Sequence, residues 1–508
     1  MNSYINLSSV LPLVAVLVLT FSLYKYLVEN FDYWEKRQIK FLKPVPFFGN
    51  FSKAFLQQKG IGFLLAEFYN QVQERFFGIF VLSEPVLVIR DPELIKQVLI
   101  KDFQHFADRS NLEDESIDNI SADFLFFSKY KKWKILRSKQ SPIFSSGKLR
   151  CMFLKMETVV KDMEFYINSK MSTNLCNLDV KELCNRYSTD VLALCIFGMK
   201  GASFENGHSK FYDIEKRIFG FSLLNDFRLF GHTTAKSFIK LTRLKLLDST
   251  VMKFLRQTIG SQIEKREQNH LENNDFLDIL VELKRMGNVR GLMFDQDRVV
   301  ALSGQFIVAG YETVSTTLCF ALYELSLNQE AQQKLRDELR DAVTEENGLD
   351  YETIHKLPYL DQVVKETLRK YPVLPYLDRC CTKEYRIPGS DLVLQPGSII
   401  YIPMFGLHYD KNYFPDPNKF IPERFSEENK SSFPASAYVP FGIGPRVCIG
   451  ERFALNATKL AIAQLLLDYH LEKCNETPIH VEFKARGITL MPTKKLIINF
   501  TKISQAAY

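Results

Sequence analysis

Phe441-Gly442-Ile443-Gly444-Pro445-Arg446-Val447-Cys448-Ile449-Gly450 decides how the rest of this 508-residue chain is read. Two glycines and a proline ahead of the cysteine make a tight loop, and a helical pattern, ERFALNATKLAIAQLLL, follows at once. Cys448 therefore sits at the mouth of a helix N-terminus, where backbone N–H groups and the macrodipole favour a thiolate over a thiol. Arg446, two residues earlier, adds a positive charge. Gly442, Gly444 and Gly450 carry no side chains, so a flat ligand can approach the backbone closely. A single cysteine beside a glycine-rich turn is more often a buried structural residue. The pattern F-x-x-G-x-R-x-C-x-G shifts that balance, because its chance occurrence in this composition has odds of roughly 10⁻⁴.

Hydrophobic residues make up 46% of the chain and charged residues 24%, an ordinary globular balance able to bury a large core. Length alone suggests about three domains, but there is no internal repeat and no linker-like Pro/Gly- or Ser-rich stretch. The net charge of +6 fits an acidic protein partner or a membrane surface and is too diffuse to argue for nucleic acid. The nine cysteines are scattered and include no C-x-x-C pair, which excludes a zinc ribbon and argues against a disulfide framework. A reducing, cytosol-facing environment follows.

The N-terminus carries no charged side chain from Met1 through Tyr24, and residues 11–23 read LPLVAVLVLTFSL. A bilayer-spanning helix needs roughly 20 apolar residues, which this segment just reaches. Positive charge begins at Lys25 and continues at Lys36, Arg37, Lys40 and Lys43, so the body is expected on the cytosolic side. A cleaved signal peptide would need a basic start and a small-residue cleavage site, and neither is present. The expected division is an anchor over 1–25, a basic, proline-containing linker over 26–49, and one large domain over 50–508. Within that domain, residues 299–323 are apolar nearly all round, with Glu312 as the only formal charge. A carboxylate in mid-span is costly in lipid, so a helix buried through the core is preferred to a second membrane span. Strand-like pieces are short, at residues 79–90 and 496–500, so the class is mainly α with a minor β-sheet region.

Other patterns stand in order along the chain: Trp133-Lys134-Ile135-Leu136-Arg137, Ala309-Gly310-Tyr311-Glu312-Thr313, Glu366-Thr367-Leu368-Arg369 and Pro422-Glu423-Arg424-Phe425. Each is weak alone. Helical phasing puts Glu366 and Arg369 opposite an apolar face, as a solvated pair would be. Thr313 has the ordinary alternative of bonding back to its own helix, and Glu312 that of pairing with a distant base. Ala309 and Gly310 are small enough to let the helix widen locally, and a carboxylate beside a hydroxyl can relay protons through water.

Together with the cysteine loop, these motifs resemble the cytochrome P-450 superfamily over the whole chain, most closely its microsomal, toxin-metabolising insect members. The resemblance implies one large helical domain with a small sheet, and overrides the estimate from length. It implies haem b (protoporphyrin IX iron) with Cys448 as axial ligand and Phe441 beside it. Trp133, Arg137, Arg109, Arg379 and Arg446 would hold the haem propionates. Glu366, Arg369 and Arg424 would form a buried charged triad that locks the cysteine loop, and Glu312 with Thr313 would deliver protons. Val447 departs from the family, which commonly has a polar residue there.

The implied function is monooxygenation of lipophilic small molecules by O2. The chain has no G-x-G-x-x-G fingerprint and no spare flavin domain, so NADPH and flavins enter only through NADPH–cytochrome P-450 reductase, with cytochrome b5 as a second candidate donor. Lys129, Lys131, Lys132, Lys134 and Lys139 form a basic cluster suited to such a partner, or simply a solvated helix face. The implied location is the endoplasmic reticulum membrane, in contact with lipid. Substrate selection falls to residues 110–127, 204–241, 306–313, 374–377 and the tail near Gly487, with Phe219, Phe221 and Phe306 as apolar candidates. Two rivals remain at this point: a haem-thiolate isomerase or dehydratase acting on peroxides, and a membrane-tethered haem carrier or gas sensor.

Overall fold

The computed structural model describes residues 7–205, 209–220, 222–269, 275–346, 348–485 and 489–503. Phe221 and Gly487 lie outside the described residues.

Helix dominates, and one long helix, Gln296–Leu327, runs through the core. Asp295 starts it by accepting the Arg298 N–H at 2.9 Å, satisfying a donor that the first turn leaves free. From Val299 to Ser326 every residue is buried except Val308, Ala309, Gly310 and Thr313. By length and composition it could cross a membrane, yet protein covers most of it. It is the core helix that its mid-span carboxylate foretells.

The helix Val180–Phe197 packs along this central helix, and Gly310 marks a close approach. A Cβ at Gly310 would stand 2.8 Å from Leu192 Cδ2. The glycine therefore serves helix packing, and the central helix stays α-helical there without the expected widening. The helices Ser146–Lys170, Pro358–Lys370 and Glu451–Asp468 complete the surrounding layer.

Besides two short two-stranded ribbons, two larger sheets are built from β1 (Phe76–Val81), β2 (Glu84–Ile89), β3 (Leu175–Asp179), β4 (Tyr376–Cys380), β5 (Ile399–Pro403), β6 (Tyr469–Lys473) and β7 (Ile497–Lys502). One sheet has the order β1-β2-β5-β4, with β2 and β5 parallel and the other pairs antiparallel. The other has the order β6-β7-β3 and is antiparallel throughout. Along β2 the alternate residues Leu87 and Ile89 enter one apolar cluster, while Val86 and Val88 enter another. Both faces are covered, which is why the sequence there is an unbroken apolar run.

The expected linker over 26–49 is corrected by the packing of its second half. Trp34 is 2% exposed, and its indole N–H donates to the Ile79 carbonyl at 3.1 Å. Its ring lies on Gly78, where a Cβ would come within 2.4 Å of Trp34 Cγ. Leu42 N–H donates to Gly78 O at 3.1 Å, and Gly49 bridges to Val81. An indole seated on a strand glycine buries too much apolar surface to belong to a loose connection. The body therefore begins near Trp34. Ahead of it stands one 22-residue helix, Leu7–Val28, with exposed apolar side chains such as Val16, Leu17 and Leu19.

Trp34→Ala is expected to destabilise the detergent-solubilised protein by about 3–5 kcal/mol in urea unfolding. A loose linker would give a change within about 0.5 kcal/mol.

Candidate active site

A cavity of about 410 Å³ is lined by the cysteine loop and by the accessible window of the central helix, Val308, Ala309, Gly310 and Thr313. Arg109, Trp133, Arg137, Glu312, Phe441, Arg446 and Cys448 line it too. Arg379, on β4, is buried nearby, and Leu377 on the same strand reaches the wall.

The loop folds on itself. Cys448 N–H donates to Phe441 O and Val447 N–H to Gly444 O, each at 3.0 Å. Gly442 and Gly444 have φ values of +74° and +78°, the left-handed region that glycine enters freely. At Gly444 a Cβ would lie 2.1 Å from Leu99 O, so this glycine admits a neighbouring backbone. Gly450, by contrast, faces open space and leaves room for a flat ligand. The helix Glu451–Asp468 starts directly after it.

Cys448 is accessible, whereas Cys184, Cys195 and Cys319 are sealed in the core. The surrounding protein nevertheless raises its thiol pKa through burial, with Glu451 adding to the rise. The Gly450 N–H, Arg137 and Arg109 pull it down without prevailing. The thiolate preference expected from the helix terminus and Arg446 is thus outweighed by desolvation in the protein alone. Arg446 is engaged elsewhere: it donates to the carbonyls of Ala107, Leu125 and Ser128 at 3.0, 3.2 and 3.0 Å. Its guanidinium also lies 4.4 Å from the centre of the Trp133 ring. Arg137 steadies the loop directly by donating to Val447 O at 2.8 Å. The departure at position 447 is harmless to that contact, because only the backbone carbonyl is used.

Beside the loop, three guanidinium groups crowd together. Arg109 donates to Asp378 Oδ1 at 2.9 Å, and Arg379 donates to the Asp378 carbonyl at 2.6 Å. Burial and the neighbouring Arg109 push both Arg379 and Arg446 down to about 9. The Nε atoms of Arg379 and Arg109 are buried and unpartnered. Asp378 is held ionised by Arg109, the Ser110 N–H and Arg379 against the opposing effect of its burial. Buried cations with unused donors suit anionic groups, so the residues present fit the propionates of a haem. Asp378 was missed in the sequence, although it directly precedes Arg379.

The helical phasing of Glu366 and Arg369 misleads: both are 0% exposed. Arg369 grips Glu366 through Nε and Nη2 at 2.7 and 2.8 Å, and Arg424 Nε joins Glu366 at 3.3 Å. The segment after Asp410 covers this face, with Arg369 donating to Pro417 O and the Ile421 N–H donating to Glu366. A path leads on to the cysteine loop. Arg369 Nη1 donates to His408 O at 2.9 Å, and the Val439 N–H donates to His408 Nε2 at 3.3 Å. Val439 O in turn receives the Gly442 N–H at 2.9 Å.

On the central helix the ordinary alternatives prevail. The Thr313 hydroxyl donates to Ala309 O at 2.7 Å. Glu312 is 1% exposed and forms an ion pair with Lys181 at 2.8 Å, while Thr316 also donates to it. The buried carboxylate of Glu312 takes the nearest cation, Lys181, while Glu312 stays adjacent to Thr313 in the sequence. Lys181 was missed; nothing in its sequence surroundings marks it. The basic cluster divides in the same way. Lys129 donates to Arg109 O and Asn111 O, and Lys132 pairs with Glu113, Glu115 and Asp123, leaving Lys131 and Lys134 exposed.

Comparison with known proteins agrees with this geometry. The family model described as cytochrome P-450 matches residues 39–500. Cytochrome P-450 6k1 of Blattella germanica is 35% identical over 96% of this chain and 97% of its own length. Cytochrome P-450 6j1 of the same species is 36% identical over 98% and 99%. Probable cytochrome P-450 6w1 of Drosophila melanogaster is 33% identical over 96% and 97%. These matches define a haem-dependent oxidoreductase, a monooxygenase acting on small molecules with O2. The chain belongs to the cytochrome P-450 family.

His408 supplies a pH test of the path to the loop. Burial pushes its imidazole down to about 3 from an ordinary 6.5, so the native form stays neutral. The unfolded chain takes up a proton that the native chain refuses between those values. Stability should therefore fall as pH drops through this window, by at most about 1.4 kcal/mol per unit. His408→Gln should flatten that dependence in urea unfolding; an unchanged slope would contradict the assignment.

Proposed function

We propose that this chain is a membrane-anchored monooxygenase inserting one oxygen atom from O2 into lipophilic small molecules: xenobiotics, plant toxins or insecticides, or hormones and lipids. Electrons come from NADPH through NADPH–cytochrome P-450 reductase, with cytochrome b5 as a second donor. The observation that carries this reading is the single cavity shared by Cys448, the buried arginines and the bare window of the central helix. Haem, when bound, supplies the redox chemistry at which O2 is activated.

The chain's own residues position and protect. Cys448 would supply the sulfur that holds the haem iron, on a loop tied by Arg137 and by its own backbone. Arg109, Arg379, Arg446, Trp133 and Arg137 would hold the propionates of a haem, and Phe441 lines the same cavity as Cys448. Glu366, Arg369 and Arg424 keep the underlying loop in place. The Thr313 hydroxyl, one bond rotation from its Ala309 contact, presents a proton to the cavity. Glu312 is the second member of that proton path, held in place by its contact with Lys181. The apolar wall, including Phe219 and Phe306, excludes water and receives the substrate.

Residues 1–25 anchor the protein in the endoplasmic reticulum membrane with the body in the cytosol, in contact with lipid. At about 1.5 Å per residue, the 22-residue helix Leu7–Val28 has the length for one crossing. Lys131, Lys134 and Lys139 are the part of the basic cluster left to meet an acidic donor. The mild net charge offers no nucleic-acid site.

Product formation from a panel of lipophilic toxins should require both NADPH and the reductase. Thr313→Val should lower kcat about a hundredfold while the carbonyl spectrum stays normal. Reductase-independent turnover, or an undiminished Thr313→Val rate, would overturn these assignments.

A further inference from the structure

Gln305 is an amide in the apolar run of the central helix, 6% exposed and part of the cavity lining. Its Nε2 donates to Gln140 Oε1 at 2.6 Å and to Leu302 O at 2.9 Å, and its Oε1 accepts the Leu125 N–H at 2.9 Å. A side-chain amide carries two N–H donors, and both are used. Leu302 O also fixes which way the group faces, since only Nε2 can donate to a carbonyl. Gln305 therefore has no donor left for a ligand, and its amide works on the protein.

What it holds is another part of the cavity wall. Phe124, Leu125, Phe126 and Phe127 all line the cavity. A turn shapes this stretch: the N–H groups of Phe127 and Ser128 donate to Phe124 O at 3.0 and 2.9 Å. The Leu125 peptide groups stay outside that turn and are pinned from both sides. The N–H goes to Gln305, and the carbonyl accepts from Arg446 Nη1 at 3.2 Å. One residue of the wall is thus tied to the central helix and to the cysteine loop, each time by a buried side chain.

Gln305 is itself steadied from behind. Gln140 ends the helix Tyr130–Gln140, which also carries Trp133 and Arg137, and is 0% exposed. It stands outside the cavity lining. Its Oε1 faces Gln305, while its Nε2 is buried without a partner among the described residues. A stranded buried donor is costly, so the contact with Gln305 is what orients Gln140. Breaking the clamp would likewise leave the Leu125 N–H buried and unpaired. The stretch relieves that cost by shifting away from the central helix towards water, which widens the cavity.

We propose that Gln305 is a specificity-determining positioning residue: by clamping the Leu125 peptide it sets how wide a substrate the cavity admits. This rests on reading the cavity as the substrate site.

Equilibrium dialysis of the full-length holoenzyme with labelled naphthalene and pyrene tests the clamp. Gln305→Met keeps the side-chain length but loses its donors and acceptor, and should raise the pyrene-to-naphthalene affinity ratio about tenfold. Gln140→Met touches no ligand, yet should raise the same ratio about threefold. The double variant should match Gln305→Met alone, because Gln140 acts through Gln305. Amide hydrogen exchange over residues 124–128 should quicken about tenfold in Gln305→Met. A ratio unmoved in either variant, additive effects in the double variant, or unchanged exchange would overturn the proposal. Should Gln305→Met fail to fold, Gln140→Met decides by the same ratio. Dialysis reads binding whether or not product forms. The expected ratios without NADPH-dependent turnover would therefore remove the monooxygenase reading alone.

Discussion

A guanidinium with no exposed surface needs a partner, and the Arg369–Glu366 pair supplies it at the base of the cysteine loop. Removing one member of such a pair strands the other charge in the core, at a cost of about 3–5 kcal/mol. What hangs from the pair is specific. Arg369 holds the His408 carbonyl, His408 receives the Val439 N–H, and Val439 receives the Gly442 N–H that begins the loop around Cys448. The triad therefore works through position and never touches the cavity.

The same economy of charge explains the division of the cavity lining. Lys181 satisfies Glu312, so that buried carboxylate does not face the cavity unbalanced. The crowded arginines are different, since burial and the neighbouring Arg109 push Arg379 and Arg446 down to about 9. A region that strains its own cations is built to receive an anion. That is the physical sense in which the protein is incomplete without its cofactor.

The cysteine loop, the buried central helix and the ordered motifs were legible because each rests on local spacing. Glu312 in an otherwise uncharged run distinguishes a core helix from a membrane span, and burial of that helix follows. Three things were not legible, each for a tertiary reason. Helical phasing cannot see that the segment after Asp410 folds over Glu366 and Arg369. Nor can it see that Lys181, on a neighbouring helix, reaches Glu312. Trp34 looked like part of a linker because its seat, Gly78, lies far along the chain on a strand. Gly444 was read for ligand approach and Gly310 for a local widening of its helix, yet their missing side chains make room for Leu99 and Leu192.

Our account stands on sulfur bonding to iron at position 448. Cys448→Ser leaves the loop glycines, the arginines and the triad untouched and changes only the axial atom. The reduced carbon-monoxide difference spectrum of the purified variant reads that atom directly. Loss of the red-shifted carbonyl band, together with loss of turnover, is the predicted result; a serine variant that keeps both would contradict the account.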